Sequence, residues 1–146
     1  MRFLHTMIRV SSLTDTLHFF CDLLGCQEIK RTENKTGRYT LVYLAAPEDL
    51  DTAEQYAAPL IELTYNWDEN SYSGGRNFGH IAFSVNNIYD ICDRLKKAGV
   101  MINRPPRDGY MAFIRTPDGI SIELLQKGAP LLPQEPWISQ DNIGQW

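Results

Sequence analysis

Two histidines and two glutamates occupy matching places in this chain, and their types and spacing suit metal chemistry. His5 lies near the start of the apolar run Leu4-His5-Thr6-Met7-Ile8-Arg9-Val10, and His80 near the start of Gly79-His80-Ile81-Ala82-Phe83-Ser84-Val85. Glu62 sits inside Ile61-Glu62-Leu63 and Glu123 inside Ile122-Glu123-Leu124. Neighbouring residues of a strand face opposite sides, so each glutamate points away from its Ile and Leu neighbours. An isolated glutamate in that setting usually faces water, and a lone strand histidine is more often packed or hydrogen-bonded than a ligand. The doubling changes the balance. If the first and last strands of each half are neighbours, each histidine meets a glutamate on one face. Imidazole nitrogen and carboxylate oxygen suit a borderline-hard divalent ion such as Ni²⁺, Zn²⁺, Co²⁺ or Mn²⁺. Four such ligands leave room for water, as a catalytic ion requires. His18 is the contrast: it falls in a helical stretch, has no counterpart in the other half, and reads as a helix-surface residue.

The elements that must position these groups repeat. After each histidine strand comes a polar link and then a helical pattern: Leu13, Leu17, Phe20 and Leu24 in the first copy, and Ile88, Ile91, Cys92, Leu95 and Ala98 in the second. Ser12 or Thr14, and Asn86 or Asn87, are the available caps. Each helix stops at a glycine, Gly25 or Gly99, suited to a left-handed cap. Strand-like stretches follow at 27–31, 39–44 and 60–65, then at 100–103, 111–115 and 121–125, separated by turn signals such as Asn34-Lys35-Thr36-Gly37 and Pro117-Asp118-Gly119. Each half therefore reads as strand, helix and three strands. The expected division is 1–67 for the first βαβββ module, 68–77 for a polar linker, 78–127 for the second module and 128–146 for a tail. Residues 47–59 interrupt the first copy as an inserted loop or short helix. The tail holds three prolines with Trp137 and Trp146 and no clear periodicity, which suits either an extended segment docked through those tryptophans or a loosely ordered one.

Composition sets the outer limits. The chain has 146 residues, of which 43% are hydrophobic and 22% charged, as in an ordinary soluble globular protein; the α+β class is expected from the strand–helix–strands pattern of its halves. The net charge of −4 and the lack of a basic stripe argue against nucleic acid. No stretch approaches the roughly 18 apolar residues of a membrane span, and no signal peptide is visible, so a cytoplasmic protein is expected. Cys21, Cys26 and Cys92 are odd in number and lack zinc spacing, so reduced thiols buried as small hydrophobes are expected.

Four blocks in order carry a family resemblance: His5-Thr6-Met7-Ile8-Arg9-Val10, Ile61-Glu62-Leu63-Thr64-Tyr65-Asn66-Trp67, Gly79-His80-Ile81-Ala82 and Pro117-Asp118-Gly119-Ile120-Ser121-Ile122-Glu123. Over about residues 1–127 the chain resembles glyoxalase I, the lactoylglutathione lyases of the vicinal-oxygen-chelate superfamily. The resemblance implies two tandem βαβββ modules of the glyoxalase/bleomycin-resistance type. It also implies a homodimer whose sites lie between subunits, with His5 and Glu62 from one chain and His80 and Glu123 from the other. The implied reaction isomerises the methylglyoxal–glutathione hemithioacetal to S-D-lactoylglutathione, a methylglyoxal detoxification. A histidine at the first ligand position, as in His5, is the bacterial pattern and goes with Ni²⁺; Zn²⁺ is the other candidate. Glu123 matches the principal base and Glu62 its partner. Arg9, Asn66 and Arg76 match glutathione-binding positions, Arg107 stands where the family carries basic residues, and Met111 and Phe113 match pocket walls. Three other readings compete: a related superfamily metalloenzyme using two histidines and one glutamate, an enzyme acting on another thiol adduct, and a metal-free protein that sequesters a ligand. The fourth ligand, Glu62, discriminates against the first and the intact set against the last.

Overall fold

A computed structural model describes residues 1–75 and 77–145, so the expectations for Arg76 and Trp146 fall outside the described residues. The chain divides into two compact units, Met1–Ser73 and Gly74–Trp146.

In the first unit, β1 (His5–Arg9) leads into α1 (Leu13–Leu17), which continues as a π-helical turn over His18–Leu23. Ser12 caps α1 by accepting from the Asp15 N–H at 3.3 Å. The sequence pattern predicts one continuous α-helix here; the structure instead widens its second half. The Leu24 N–H reaches back to the Phe19 carbonyl and the Cys26 N–H to the Phe20 carbonyl. The wider turn lets two consecutive phenylalanines, Phe19 and Phe20, both be buried, with their rings edge to face at 5.2 Å. Then come β2 (Gln27–Asn34), β3 (Tyr39–Ala45) and β4 (Leu60–Asn66), giving a four-stranded sheet of order β1-β4-β3-β2. β1 runs parallel to β4, and the other pairs are antiparallel. The insertion folds as a 3₁₀ turn (Pro47–Asp49) and α2 (Leu50–Tyr56). Ala53 of α2 joins Ala45 and Leu60 in a small core, against which Ile29, Tyr43 and Leu50 pack.

The second unit repeats the plan without the insertion. β5 (His80–Val85), α3 (Ile88–Lys97), β6 (Ile102–Arg104), β7 (Met111–Arg115) and β8 (Ser121–Gln126) give the order β5-β8-β7-β6, again with the first strand parallel to the last. Asn87 caps α3 by accepting from Tyr89 N–H and Asp90 N–H. Ile88, Tyr89, Cys92 and Leu95 are buried as the helix packs on β6, β7 and β8. Gly25 and Gly99 both adopt positive φ after their helices.

The tail docks on the second unit. Trp137 is fully buried, with the Lys96 ammonium 5.2 Å from its ring centroid. Tyr89 donates to the Leu132 carbonyl, Ile143 and Asn103 exchange two hydrogen bonds along the outer edge of β6, and Leu131 N–H donates to the Gly109 carbonyl. Gly109 is required at that crossing, because an added Cβ would stand 2.0 Å from the Leu131 carbonyl oxygen.

Two outcomes follow from this packing. Trp137→Ala removes a fully buried indole and is expected to lower stability by about 3–5 kcal/mol, read as a fall in the urea midpoint; an unchanged midpoint would mean the tail does not dock in solution. The three thiols are free, and burial pushes Cys26 and Cys92 up to about 12. At neutral pH a thiol reagent is expected to modify at most Cys21 rapidly in the native protein, and Cys26 and Cys92 only on unfolding; three fast thiols would contradict this core.

Candidate metal centre

Each histidine meets its glutamate through the parallel pairing of first and last strands. In the first unit Met7 pairs with Glu62 and His5 with Leu60, so His5 lies one same-face step from Glu62. The His5 Nε2 is 2.9 Å from Glu62 Oε2. In the second unit Ala82 pairs with Glu123 and His80 with Ser121, and His80 Nε2 is 3.1 Å from Glu123 Oε2. The glutamate side chains are only 12% and 15% exposed, whereas the histidines are 38% and 43% exposed. The carboxylates are therefore sheltered and the imidazoles form the open rim. On the opposite sheet face Ile61, Leu63, Ile122 and Leu124 are buried, which fixes the register that aims the two glutamates.

An aromatic ring completes each pair. Tyr43 of β3 stands opposite Glu62 in register, and its ring meets the His5 ring edge to face at 5.9 Å. Burial, and after it the neighbouring Glu62 carboxylate, push the Tyr43 phenol above its ordinary value. Phe113 of β7 stands opposite Glu123 and meets the His80 ring at 5.4 Å. Sequence reasoning flagged Phe113 and missed Tyr43. The signal that finds Tyr43 is the β3–β4 register, together with the same-face alternation it shares with Tyr39 and Leu41.

The donor set fits a divalent ion. Two adjacent ligands of an octahedral ion, each about 2.1 Å from it, stand about 3.0 Å apart. The nearest nitrogen and oxygen of each pair have that spacing, which a hydrogen bond also fills. Among the described residues no group of three or more His, Cys, Asp or Glu is placed to hold a metal, so each unit supplies a pair.

The remaining expected site residues fall as follows. Arg9 and Asn66 lie on the Glu62 face and meet each other, Arg9 Nη1 donating to Asn66 Oδ1 at 3.3 Å. Met111 lies two residues from Phe113 on the same face of β7. Arg107 has a different partner from the substrate expected for it: its guanidinium donates to the Gln140 carbonyl at 2.7 Å and to Asn142 Oδ1 at 2.8 Å, both in the tail. The physical reason is the docked tail, which brings both acceptors within reach of the guanidinium. His18 is a surface residue 2.8 Å from Asp22. A cavity of about 440 Å³, lined by residues including Ser12, Arg31, Thr40 and Tyr65, opens on the sheet face opposite Glu62 and is separate from the histidine–glutamate pair.

Comparison with known proteins identifies the family. The family model of the Glyoxalase/Bleomycin resistance protein/Dioxygenase superfamily matches residues 2–124. A probable lactoylglutathione lyase of Vibrio parahaemolyticus is 40% identical over 130 residues, covering 86% of this chain and 90% of that one. A lactoylglutathione lyase of Neisseria meningitidis is 37% identical over 132 residues, covering 87% and 91%. The trypanothione-dependent glyoxalase I of Leishmania major superposes with a TM-score of 0.78 at 34% identity over 86% of each chain. With two βαβββ units that each bring a strand histidine onto a strand glutamate, the chain belongs to the glyoxalase/bleomycin resistance protein/dioxygenase superfamily, on its lactoylglutathione lyase branch.

Proposed function

We propose that this chain is a metal-dependent lactoylglutathione lyase that isomerises the methylglyoxal–glutathione hemithioacetal to S-D-lactoylglutathione. The observation that carries this is the twofold occurrence of one histidine–glutamate pair at one register, supported by relatives named for that activity. His5, Glu62, His80 and Glu123 are the ligands, assembled from two chains of a homodimer. The ion is Ni²⁺ or Zn²⁺, and the histidine at the first ligand position, His5, favours Ni²⁺ as the bacterial pattern does. The ion supplies Lewis-acid stabilisation of negative charge on the two neighbouring oxygens of the substrate.

The chain's own groups do the rest. Glu123 takes the proton from the carbon bearing sulfur and returns it to the neighbouring carbon, so no atom is gained or lost. Glu62 holds the opposite side of the reacting group. Glu123 is sheltered beside Phe113, which keeps water from competing for that proton. Arg9 and Asn66 take a glutathione carboxylate and amide, a role that a guanidinium fork suits. Arg76 is proposed as a further cation for glutathione, and Met111 and Phe113 as the apolar wall. Arg107 serves this site through the tail it anchors. The free thiols suit a reducing compartment, and cytoplasm is the proposed location; among the described residues no helix is long and apolar enough to cross a membrane.

The thiol is settled by assay. Chelator-treated protein, reloaded with Ni²⁺ or Zn²⁺, is given methylglyoxal with glutathione or with trypanothione, and thioester absorbance is followed. Turnover with glutathione that vanishes on chelation and returns with the ion is expected; turnover with trypanothione alone would move the substrate to that thiol, and turnover untouched by chelation would contradict the metal. Glu123→Gln is expected to lower kcat by about 10²–10⁴-fold with the ion still bound, and Glu62→Gln to abolish isomerase turnover. Wild-type rates in either variant would remove that residue from the mechanism.

A further inference from the structure

The tail of the second unit starts on the helix side of its sheet and reaches the side that carries His80 and Glu123. Trp137 is buried beside Lys96 of α3, and Lys96 also reaches Gln140 at 3.5 Å. α3 packs on the sheet from the face where Ile122 and Leu124 are buried, opposite Glu123. Ile143 then pairs with Asn103 at the outer edge of β6, its N–H donating at 2.8 Å and its carbonyl accepting from the Asn103 amide at 2.9 Å. Gly144 turns with φ +69°, a conformation that glycine adopts freely. The Gln145 carbonyl accepts from Arg115 Nε at 2.8 Å. Arg115 alternates with Met111 and Phe113 on the Glu123 face of β7. The tail thus passes round the β6 edge and is caught by a residue of the site face.

We propose that the tail end, clamped by Arg115, is a specificity element: a wall that limits the size of the substrate group lying over Met111 and Phe113. This rests on the proposed reaction and on those two residues as its apolar wall. Arg115 is one same-face step beyond Phe113, about 7 Å along the strand. Across the sheet it shares a row with Ser121 and His80, so it stands two strand spacings, about 10 Å, from the histidine. That places the clamp at the margin of the histidine–glutamate pair. The clamp is itself fixed, because Arg115 Nη1 donates to the Gly119 carbonyl at 2.7 Å. The tail before it is fixed as well, by Arg107 at Gln140 and Asn142 and by Asn103 at Ile143. A segment held at successive residues cannot fold aside when a bulky group arrives, so it discriminates by size. A single methylene in an apolar pocket changes discrimination by about 10–200-fold. The methyl group of methylglyoxal is small enough to lie inside such a wall, and a phenyl group is not.

Two variants test this: Arg115→Gln in the full chain, and a chain shortened to end at Asn142, which keeps Trp137 and both acceptors of Arg107. Each is loaded with Ni²⁺ and given the glutathione adducts of methylglyoxal and of phenylglyoxal, with kcat and KM measured separately. Hydrogen–deuterium exchange at the Ile143 amide reads the clamp in Arg115→Gln. In both variants kcat/KM for the phenylglyoxal adduct is expected to rise about 10-fold relative to the methylglyoxal adduct, mainly through KM, while the methylglyoxal constants stay near wild type. The Ile143 amide is expected to exchange faster in Arg115→Gln. A wild-type ratio between the two adducts in both variants overturns the wall. So does an equal loss on both adducts, which marks a purely structural tail. Unchanged exchange at Ile143 overturns Arg115 as the clamp. Wild-type protein that turns over neither adduct overturns the proposed reaction, and the wall with it.

Discussion

The site depends on a parallel pairing between the first and last strand of each unit. A parallel pair needs a long crossover, here the helix and two further strands, so His5 and Glu62 meet although far apart in sequence. The register of that pair is what matters. A slip of one residue would turn Glu62 and Glu123 to the apolar face and bring Ile61, Leu63, Ile122 and Leu124 out of it. Burying two carboxylates there without partners is costly enough to exclude the slip. The buried Ile and Leu neighbours therefore do more than fill the core: they aim the two glutamates.

Around this shared frame the two units have diverged. The first carries an extra helix and a tyrosine, the second a tail and a phenylalanine. In the first, apolar packing from α2 supports the ring beside Glu62. In the second, the tail holds the segment before β7 from outside, through Arg107, Gly109 and Asn103, and so steadies the strand that carries Met111 and Phe113. The pairs are alike in geometry, while their supports differ in kind.

Much of the frame was legible in the residues because it is written in local periodicity. The repeated histidine strand, the capped helix ending at Gly25 or Gly99, and the Ile-Glu-Leu strand are short patterns with direct physical meaning, and they pointed to the two units and the four polar groups. The π-helical turn was not legible, because burying both Phe19 and Phe20 is a demand of the core rather than of the helix. Tyr43 was missed because its place arises across strands: only the pairing with β4 sets it opposite Glu62 and beside the His5 ring. The tail bonds of Arg107 were not legible either, because its acceptors lie more than thirty residues downstream, in a tail whose path no local pattern reveals.

The central claim is that the two pairs converge on one divalent ion. Anomalous diffraction from crystals of the Ni²⁺-loaded protein, recorded at the nickel edge, tests it most directly. One peak per site is predicted, about 2.0–2.2 Å from the imidazole nitrogens of His5 and His80 and from carboxylate oxygens of Glu62 and Glu123. A peak bound by other groups, or two pairs that each remain hydrogen-bonded with no ion between them, would contradict it.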